Sequence, residues 1–428
     1  MRLPESYLSR HSSGSVAVAG VSVLELASRY GTPLFVFIEE QIQKNYRELL
    51  ASLSAYKNSR IFYACKANGL LAILDVLRRE GAGIDVVSGG ELFLAQKAGF
   101  KSEDIILNGN SKTDQEILSA LELGVVINVD SQDELERVSY LARERTARVC
   151  LRVIPNIKVD TIPEFVTGIA ESKFGLDIHS GEASGAIELC KNLSGVKLIG
   201  FHCHIGSQIE SVEPYEKAVD AVVSLASETA SLGHDIEVIN MGGGFGFNMC
   251  GDTHVPPINE FGRAIASRFA LACRQHSLHD VQLVLEPGAS LVADAGIALF
   301  GVNSIKKRPS DRVWVALDGG ADVMLRATQN WYKYEFVNAS KPCGEPISVN
   351  LAGPICYSGD VLSYDAKIST PQRGDIIMAL RAGAYTVCLY NSYNARVAPA
   401  VVLLSGSDQI LISRRGTFED LVLREMSL

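Results

Sequence analysis

Short β-branched runs alternate with longer amphipathic stretches through the first two thirds of the chain, and that alternation limits the folds open to it. IFYACK (61–66), GIDVV (83–87), DIILN (104–108), VVINV (125–129), RVCLRVI (148–154), VKLIGFHCH (196–204), IEVINM (236–241) and VQLVLE (281–286) read as strands. Between most of them lie segments with apolar residues at helical spacing, such as LLAILDVLRRE (70–80), DELERVSYLARE (133–144) and YEKAVDAVVSLASETASL (215–232). Strand–helix alternation implies parallel pairing through crossover helices. Eight such units in about 250 residues predict a TIM-type (β/α)8 barrel, with an open doubly wound sheet as the alternative on this pattern alone.

Past residue 290 the rhythm changes to short strand-like runs: ALFGVNSI (298–305), RVWVALDGG (312–320), ISVNLAG (347–353), DIIMAL (375–380) and AVVLLSG (400–406). Turn residues in RPSD, KPCGEP and PQRGD separate them, which predicts a second, mainly β domain. At 428 residues the chain also exceeds what one hydrophobic core usually supports. Hydrophobic residues at 47% and charged residues at 21% exclude wholesale disorder, and a net charge of −9 gives no basic footprint for nucleic acid. No apolar stretch reaches the ~20 residues of a membrane span, and MRLPESYLSRHSSGS lacks the apolar centre of a secretory signal. Nine cysteines, an odd number without CxxC spacing, argue against a disulfide framework or a zinc site. A soluble cytoplasmic protein with no metal, nucleic-acid or membrane partner is expected.

If the barrel is right, chemistry belongs at the C-terminal ends of its strands. Lys66 ends the first run, and burial beside apolar neighbours would lower its pKa as covalent amine catalysis requires; by itself it is also what a solvated surface carries. GGGFG (242–246) directly follows IEVINM, and adjacent glycines let backbone N–H groups approach an anion such as a phosphate, or else make a flexible turn. HCHIGSQ (202–208) offers His204 and Ser207; its His–x–His pair hints at a metal, but no third ligand stands at suitable spacing, and stacking plus phosphate binding fit as well. Glu286 closes the eighth run, where a buried carboxylate needs a partner such as a protonated heterocyclic nitrogen. Amine, phosphate loop and carboxylate together describe a site for pyridoxal phosphate.

The chain resembles the fold-type III pyridoxal-phosphate-dependent decarboxylases, the ornithine, diaminopimelate and arginine decarboxylase family, and is most similar to the diaminopimelate decarboxylases. GTPLFVF (31–37), YACKAN (63–68), IDVVSGGEL (84–92), TGIAESKFG (167–175), HCHIGSQ, GGGFG, EPG (286–288), DGG (318–320), GPICYSGD (353–360) and GAY (383–385) occur in the family's order. The resemblance implies an α/β fold with the cofactor barrel at 34–288, and a β-rich domain from 1–33 and 289–428 that completes the active site of a partner subunit in a homodimer. It implies that Lys66 binds pyridoxal 5'-phosphate covalently and that His204 stacks on its ring. Ser207, Gly243, Gly244 and Gly246 would hold the phosphate, Glu286 would keep the ring nitrogen protonated, and Asp85, Arg152, Gly288 and Tyr385 would line the cofactor. Cys356 would return a proton to Cα after carbon dioxide leaves. Arg326, Tyr357, Asp360, Ala289 and Tyr385 would face the substrate, an amino acid.

Two departures fall on the substrate end. Ala289 stands in EPGAS where the family has an arginine, and Tyr357 follows Cys356 where the family has an acid that resembles an anchor for a distal ammonium. A charge-assisted contact of that kind is worth about 1.5–3 kcal/mol. The resulting expectation is a decarboxylase with altered distal-end recognition. The alternatives are an authentic diaminopimelate decarboxylase making lysine, and an epimerase on the same fold.

Overall fold

Each run that reads as a barrel strand forms one in the computed structural model, which describes residues 5–249 and 255–426. The strands are β1 (Ser59–Ala64), β2 (Gly83–Val86), β3 (Ile105–Leu107), β4 (Val126–Val129), β5 (Ala147–Ile154), β6 (Val196–His202), β7 (Val238–Asn240) and β8 (Gln282–Leu285). Every neighbouring pair is parallel, and β8 closes on β1 with Leu283 opposite Ser59. Closure leaves no sheet edge, so the open-sheet alternative falls.

Inward-facing residues follow the two-residue period of a strand. Phe62, Ile106 and Val284 form an apolar layer flanked by Val126 and Val238. Gly83 makes room for that layer, because a Cβ there would lie 2.5 Å from the Phe62 ring. Two residues onward from Ile106, Val126, Val238 and Val284 stand Asn108, Asn128, Asn240 and Glu286, all buried. The barrel interior therefore changes from apolar to polar within one strand step of its C-terminal mouth.

The loops leaving that mouth are short because the next helices start promptly. Ser88 and Ser131 accept the backbone N–H groups of Glu91 and Glu134, and Thr113 with Glu116 forms a reciprocal capping box. The barrel belongs to a compact unit made of Gln43–Phe247 and His254–Ser290.

The other compact unit comprises Met1–Ile42, Asn248–Thr253 and Leu291–Leu428. Its main sheet is built on the long strand Gly296–Lys307, which pairs antiparallel with Leu34–Ile38, Val313–Leu317 and Ile376–Ala379. Leu34–Ile38, placed on the barrel side of the expected boundary at 34, instead pairs here with Gly296–Lys307 on one side and Ala400–Ser405 on the other. All five of its residues are buried, so its continuous apolar run is that of a central strand. Val361–Ser369 and Asp408–Ser413 carry too many polar residues to stand out as strands in the sequence, and the strands of the small sheet at Leu8–Arg10, Val16–Val18 and Val21–Ser22 are only two or three residues long. Among the described residues no helix is long and apolar enough to cross a membrane.

Candidate active site

All eight barrel strands bring a polar side chain to the mouth, and those of seven join in one network of contacts. Lys66 sits in the single 3-10 turn Cys65–Ala67 that follows β1, with its Nζ 3.7 Å from the Asp85 carboxylate on β2. The lysine side chain is 44% exposed and the aspartate 1%, so the amine reaches the open mouth while its counter-ion stays below. Asn108 donates through Nδ2 to Asp85 at 2.6 Å and to Glu286 at 3.0 Å, and its own Oδ1 accepts from Asn128 at 2.7 Å. Glu286 also accepts from Asn240 at 2.6 Å and lies 2.9 Å from His202 Nε2. Arg152 on β5 is 3.8 Å from Asp130 and packs 4.2 Å over the Phe174 ring, while Asp130 accepts the Gly175 N–H.

The two carboxylates are driven apart. Burial, then the charge of Glu286, pushes Asp85 up to about 6. Burial would raise Glu286 as well, but His202, Lys66 and the Asn240 donor outweigh it and hold Glu286 at about 2. Glu286 is thus the first of the two to ionise. The His204 imidazole is pushed well below its ordinary range, chiefly by burial and then by Lys66 and Arg152. It accepts the Gly243 N–H on Nδ1, so it stays neutral at the mouth.

The glycine run after β7 is packed to the limit of the backbone. A Cβ on Gly243 would lie 2.0 Å from the Glu286 carbonyl oxygen, and one on Gly244, where φ is +88°, would lie 1.8 Å from the Gly206 oxygen. Ile209 donates to the Gly244 carbonyl and Gly246 to that of Ile209, which lashes GGGFG to HCHIGSQ. Ser207 lies in the second of these segments, with its backbone N–H bonded to the Phe165 carbonyl. Gly246 and Gly288 are close-packed too, with a Cβ 2.6 Å from the Ile209 oxygen and 3.1 Å from the Ala67 methyl. Ala289 opens the short helix Ala289–Val292.

In the other unit, the Arg326 guanidinium stacks 3.6 Å over the Tyr385 ring and 4.9 Å from that of Tyr332. Tyr385 holds this position at φ +53°, a left-handed conformation uncommon for a bulky residue. Cys356 is an exposed free thiol. Tyr357 is 48% exposed, with its ring over Gly359.

Asp360 departs from its expected substrate role. It is 3% exposed, and its oxygens accept the N–H groups of Ala321 and Ile355 at 2.7 Å. A Cβ on Gly320 or Gly353 would come within 2.3 Å of that carboxylate, so backbone surrounds it. A buried charge must be compensated, and here the N–H groups of Ile355 in its own loop and of Ala321 after the DGG turn do so; Asp360 ties the two loops together.

Sequence reasoning missed Asn108, Asn128, Asn240, Asp130 and Lys112, and weighed His202 only as half of a metal pair. The two histidines in fact diverge to separate partners, Glu286 and Gly243. Lys112 is 2% exposed and bonds Glu134, the Gly109 carbonyl and the Asn128 carbonyl. Each missed asparagine sits at the polar end of a strand run, so apolar–x–Asn at the close of three runs was the available signal.

A backbone loop that admits no Cβ, an amine at the mouth and an ionised carboxylate below it fit a flat, anionic, nitrogen-containing cofactor, on a closed parallel barrel joined to a sheet domain. That combination defines a fold-type III pyridoxal-phosphate enzyme. The sequence model of the pyridoxal-dependent decarboxylases, pyridoxal binding domain, matches residues 39–293, and the chain belongs to that family. It is similar to the diaminopimelate decarboxylase of Methanocaldococcus jannaschii, 36% identical over 421 residues that cover 96% of this chain and 95% of that one. The Bacillus subtilis diaminopimelate decarboxylase is 34% identical over 417 residues, covering 96% and 94%. The crystal structure of the M. jannaschii enzyme in complex with L-lysine matches with a TM-score of 0.93 at 36% identity, over 99% of this chain and 98% of that one. The chain is a carboxy-lyase, an amino-acid decarboxylase that uses pyridoxal 5'-phosphate.

Proposed function

We propose that this enzyme is a diaminopimelate-decarboxylase-like enzyme whose recognition of the distal end of the substrate has changed. Pyridoxal phosphate, when bound, supplies an electron sink for the bond that breaks as carbon dioxide leaves. Lys66 carries it, His204 lies against its ring, and Ser207, Gly243, Gly244 and Gly246 hold its phosphate. Asp85, Arg152, Gly288 and Tyr385 line it. Glu286 keeps a proton on the ring nitrogen, which favours decarboxylation over epimerisation. Cys356 of the partner subunit delivers a proton to Cα through its thiol, so the working form is a homodimer.

The observation that carries the substrate reading is that a cation is kept while an anion is lost. Arg326, stacked on Tyr385 and Tyr332, supplies the positive charge that suits a distal carboxylate, whereas the half-exposed Tyr357 offers a phenol where the family places an acid. A phenol accepts a hydrogen bond but cannot neutralise an ammonium. Ala289 removes a second charged partner. The preferred substrate therefore carries a distal carboxylate or a neutral group and no distal ammonium.

The 36% identity to a diaminopimelate decarboxylase over nearly the full chain favours the competing reading, an unaltered lysine-forming enzyme. A panel of amino acids scored for carbon dioxide release separates the two. Meso-diaminopimelate is expected to be poorer than the best panel member by roughly 10- to 150-fold in kcat/KM, the value of one charge-assisted contact. Tyr357→Glu should narrow that gap. Diaminopimelate ranking first with the native enzyme would overturn the proposal.

A further inference from the structure

Glu286 is 6% exposed and lies above an apolar layer of Phe62, Ile106 and Val284. An ionised group there survives only if its oxygens are bonded. Oε2 lies 2.9 Å from His202 Nε2, and Oε1 receives Asn240 Nδ2 at 2.6 Å and Asn108 Nδ2 at 3.0 Å. The direction of each bond is fixed from its far end. Asn240 Oδ1 accepts the Gly242 N–H at 2.9 Å, and Asn108 Oδ1 accepts from Asn128, so both amide nitrogens must face the carboxylates. His202 is 2% exposed, and its Nδ1 is buried without a hydrogen-bond partner. The ring proton therefore sits on Nε2, where the carboxylate accepts it.

We infer that His202, with Asn240 and Asn108, is a positioning residue that holds Glu286 ionised and in one orientation, and that Asn240 ties this carboxylate to the glycine loop. The inference rests on the reading that Glu286 faces the cofactor's ring nitrogen. A carboxylate that accepts three N–H donors resists protonation, while one that loses a donor in a dry pocket takes up a proton and becomes a donor itself. A protonated Glu286 could no longer keep a proton on the ring nitrogen. Asp85 makes the requirement stricter, since it shares the Asn108 amide and adds a second negative charge that disfavours ionisation of Glu286. His202 thus helps keep Glu286 charged beside Asp85.

The test uses the holoenzyme reconstituted with pyridoxal phosphate labelled with nitrogen-15 at the ring. The chemical shift of that nitrogen reports its protonation without any turnover. Native enzyme should show a protonated nitrogen. Glu286→Gln should lose it; if it does not, the reading of Glu286 fails. His202→Leu should show the neutral nitrogen at a pH where native enzyme is protonated, with kcat lowered roughly 10- to 100-fold and KM little changed. His202→Gln, which keeps an N–H donor of similar reach, should restore the native signal. His202→Asn keeps the amide but is too short to reach, and stands in for His202→Leu if that variant does not fold. Loss of the protonated signal in Glu286→Gln, with native signal and kcat in His202→Leu or His202→Asn, would overturn the inference while leaving the role of Glu286 intact.

Discussion

Asp85 and Glu286 are separated by one amide, that of Asn108, yet they hold protons very differently. Asp85 is raised from 3.8 to about 6 by burial first and Glu286 second. The folded protein therefore binds more protons than the unfolded chain between those values. The corresponding stability is fully present below pH 3.8 and is lost as the pH rises through 6. Asp85→Asn removes the titration. Between about pH 4 and pH 7 the cofactor-free native protein should lose on the order of 2 kcal/mol more stability than that variant. Denaturant unfolding at several pH values measures the difference; parallel profiles would mean that Asp85 titrates normally.

Elements, not residues, decide what the glycines do. Gly200 lies inside β6, opposite a register shift against β5, and a Cβ there would lie 1.8 Å from the Val238 carbonyl oxygen of β7. Gly244 has an equally close contact, but in a loop beyond the strands. The two alanine substitutions should fail differently. Gly200→Ala wedges a barrel ladder and is expected to cost several kcal/mol, on the order of 3–5, with lost expression or a lowered melting temperature. Gly244→Ala forces the loop to move while the ladder remains, so the barrel should fold and cofactor retention should drop at least ~10-fold. Circular dichroism and equilibrium cofactor binding separate the outcomes. Equal loss of folding in both would show that the loop is part of the barrel's framework. The same scale explains why the period-2 step from apolar layer to polar ring was readable in principle. Ile106–x–Asn108, Val126–x–Asn128, Val238–x–Asn240 and Val284–x–Glu286 are one pattern, visible once strand phase is known.

At the level of the whole molecule, the proposed homodimer draws Lys66 from one chain and Cys356 from its partner. Subunits carrying Lys66→Ala and subunits carrying Cys356→Ala should each be inactive as homodimers. In a mixed dimer one site carries both lesions and the other neither, so up to half of the native activity per dimer should return. Differently tagged subunits, co-purified and assayed for carbon dioxide release, measure it. No recovery in verified mixed dimers would place both residues in the site of a single chain.

The sequence by itself determined the eight barrel strands, because their β-branched runs and amphipathic spacers depend on local periodicity. It also located Lys66, the glycine run and Glu286, since strand ends and backbone-limited loops are local features. Only the tertiary structure decided which neighbours those residues meet. Leu34–Ile38 left the barrel because its burial depends on strands some 260 and 370 residues away. Asp360 turned in between its own loop and the loop at Gly320 because two glycine backbones close on it. His202 and Glu286, 84 positions apart, became one unit because parallel closure brings β6 and the end of β8 to the same mouth. Proton affinity in such a place is a property of burial and partners, and neither is written in the local sequence.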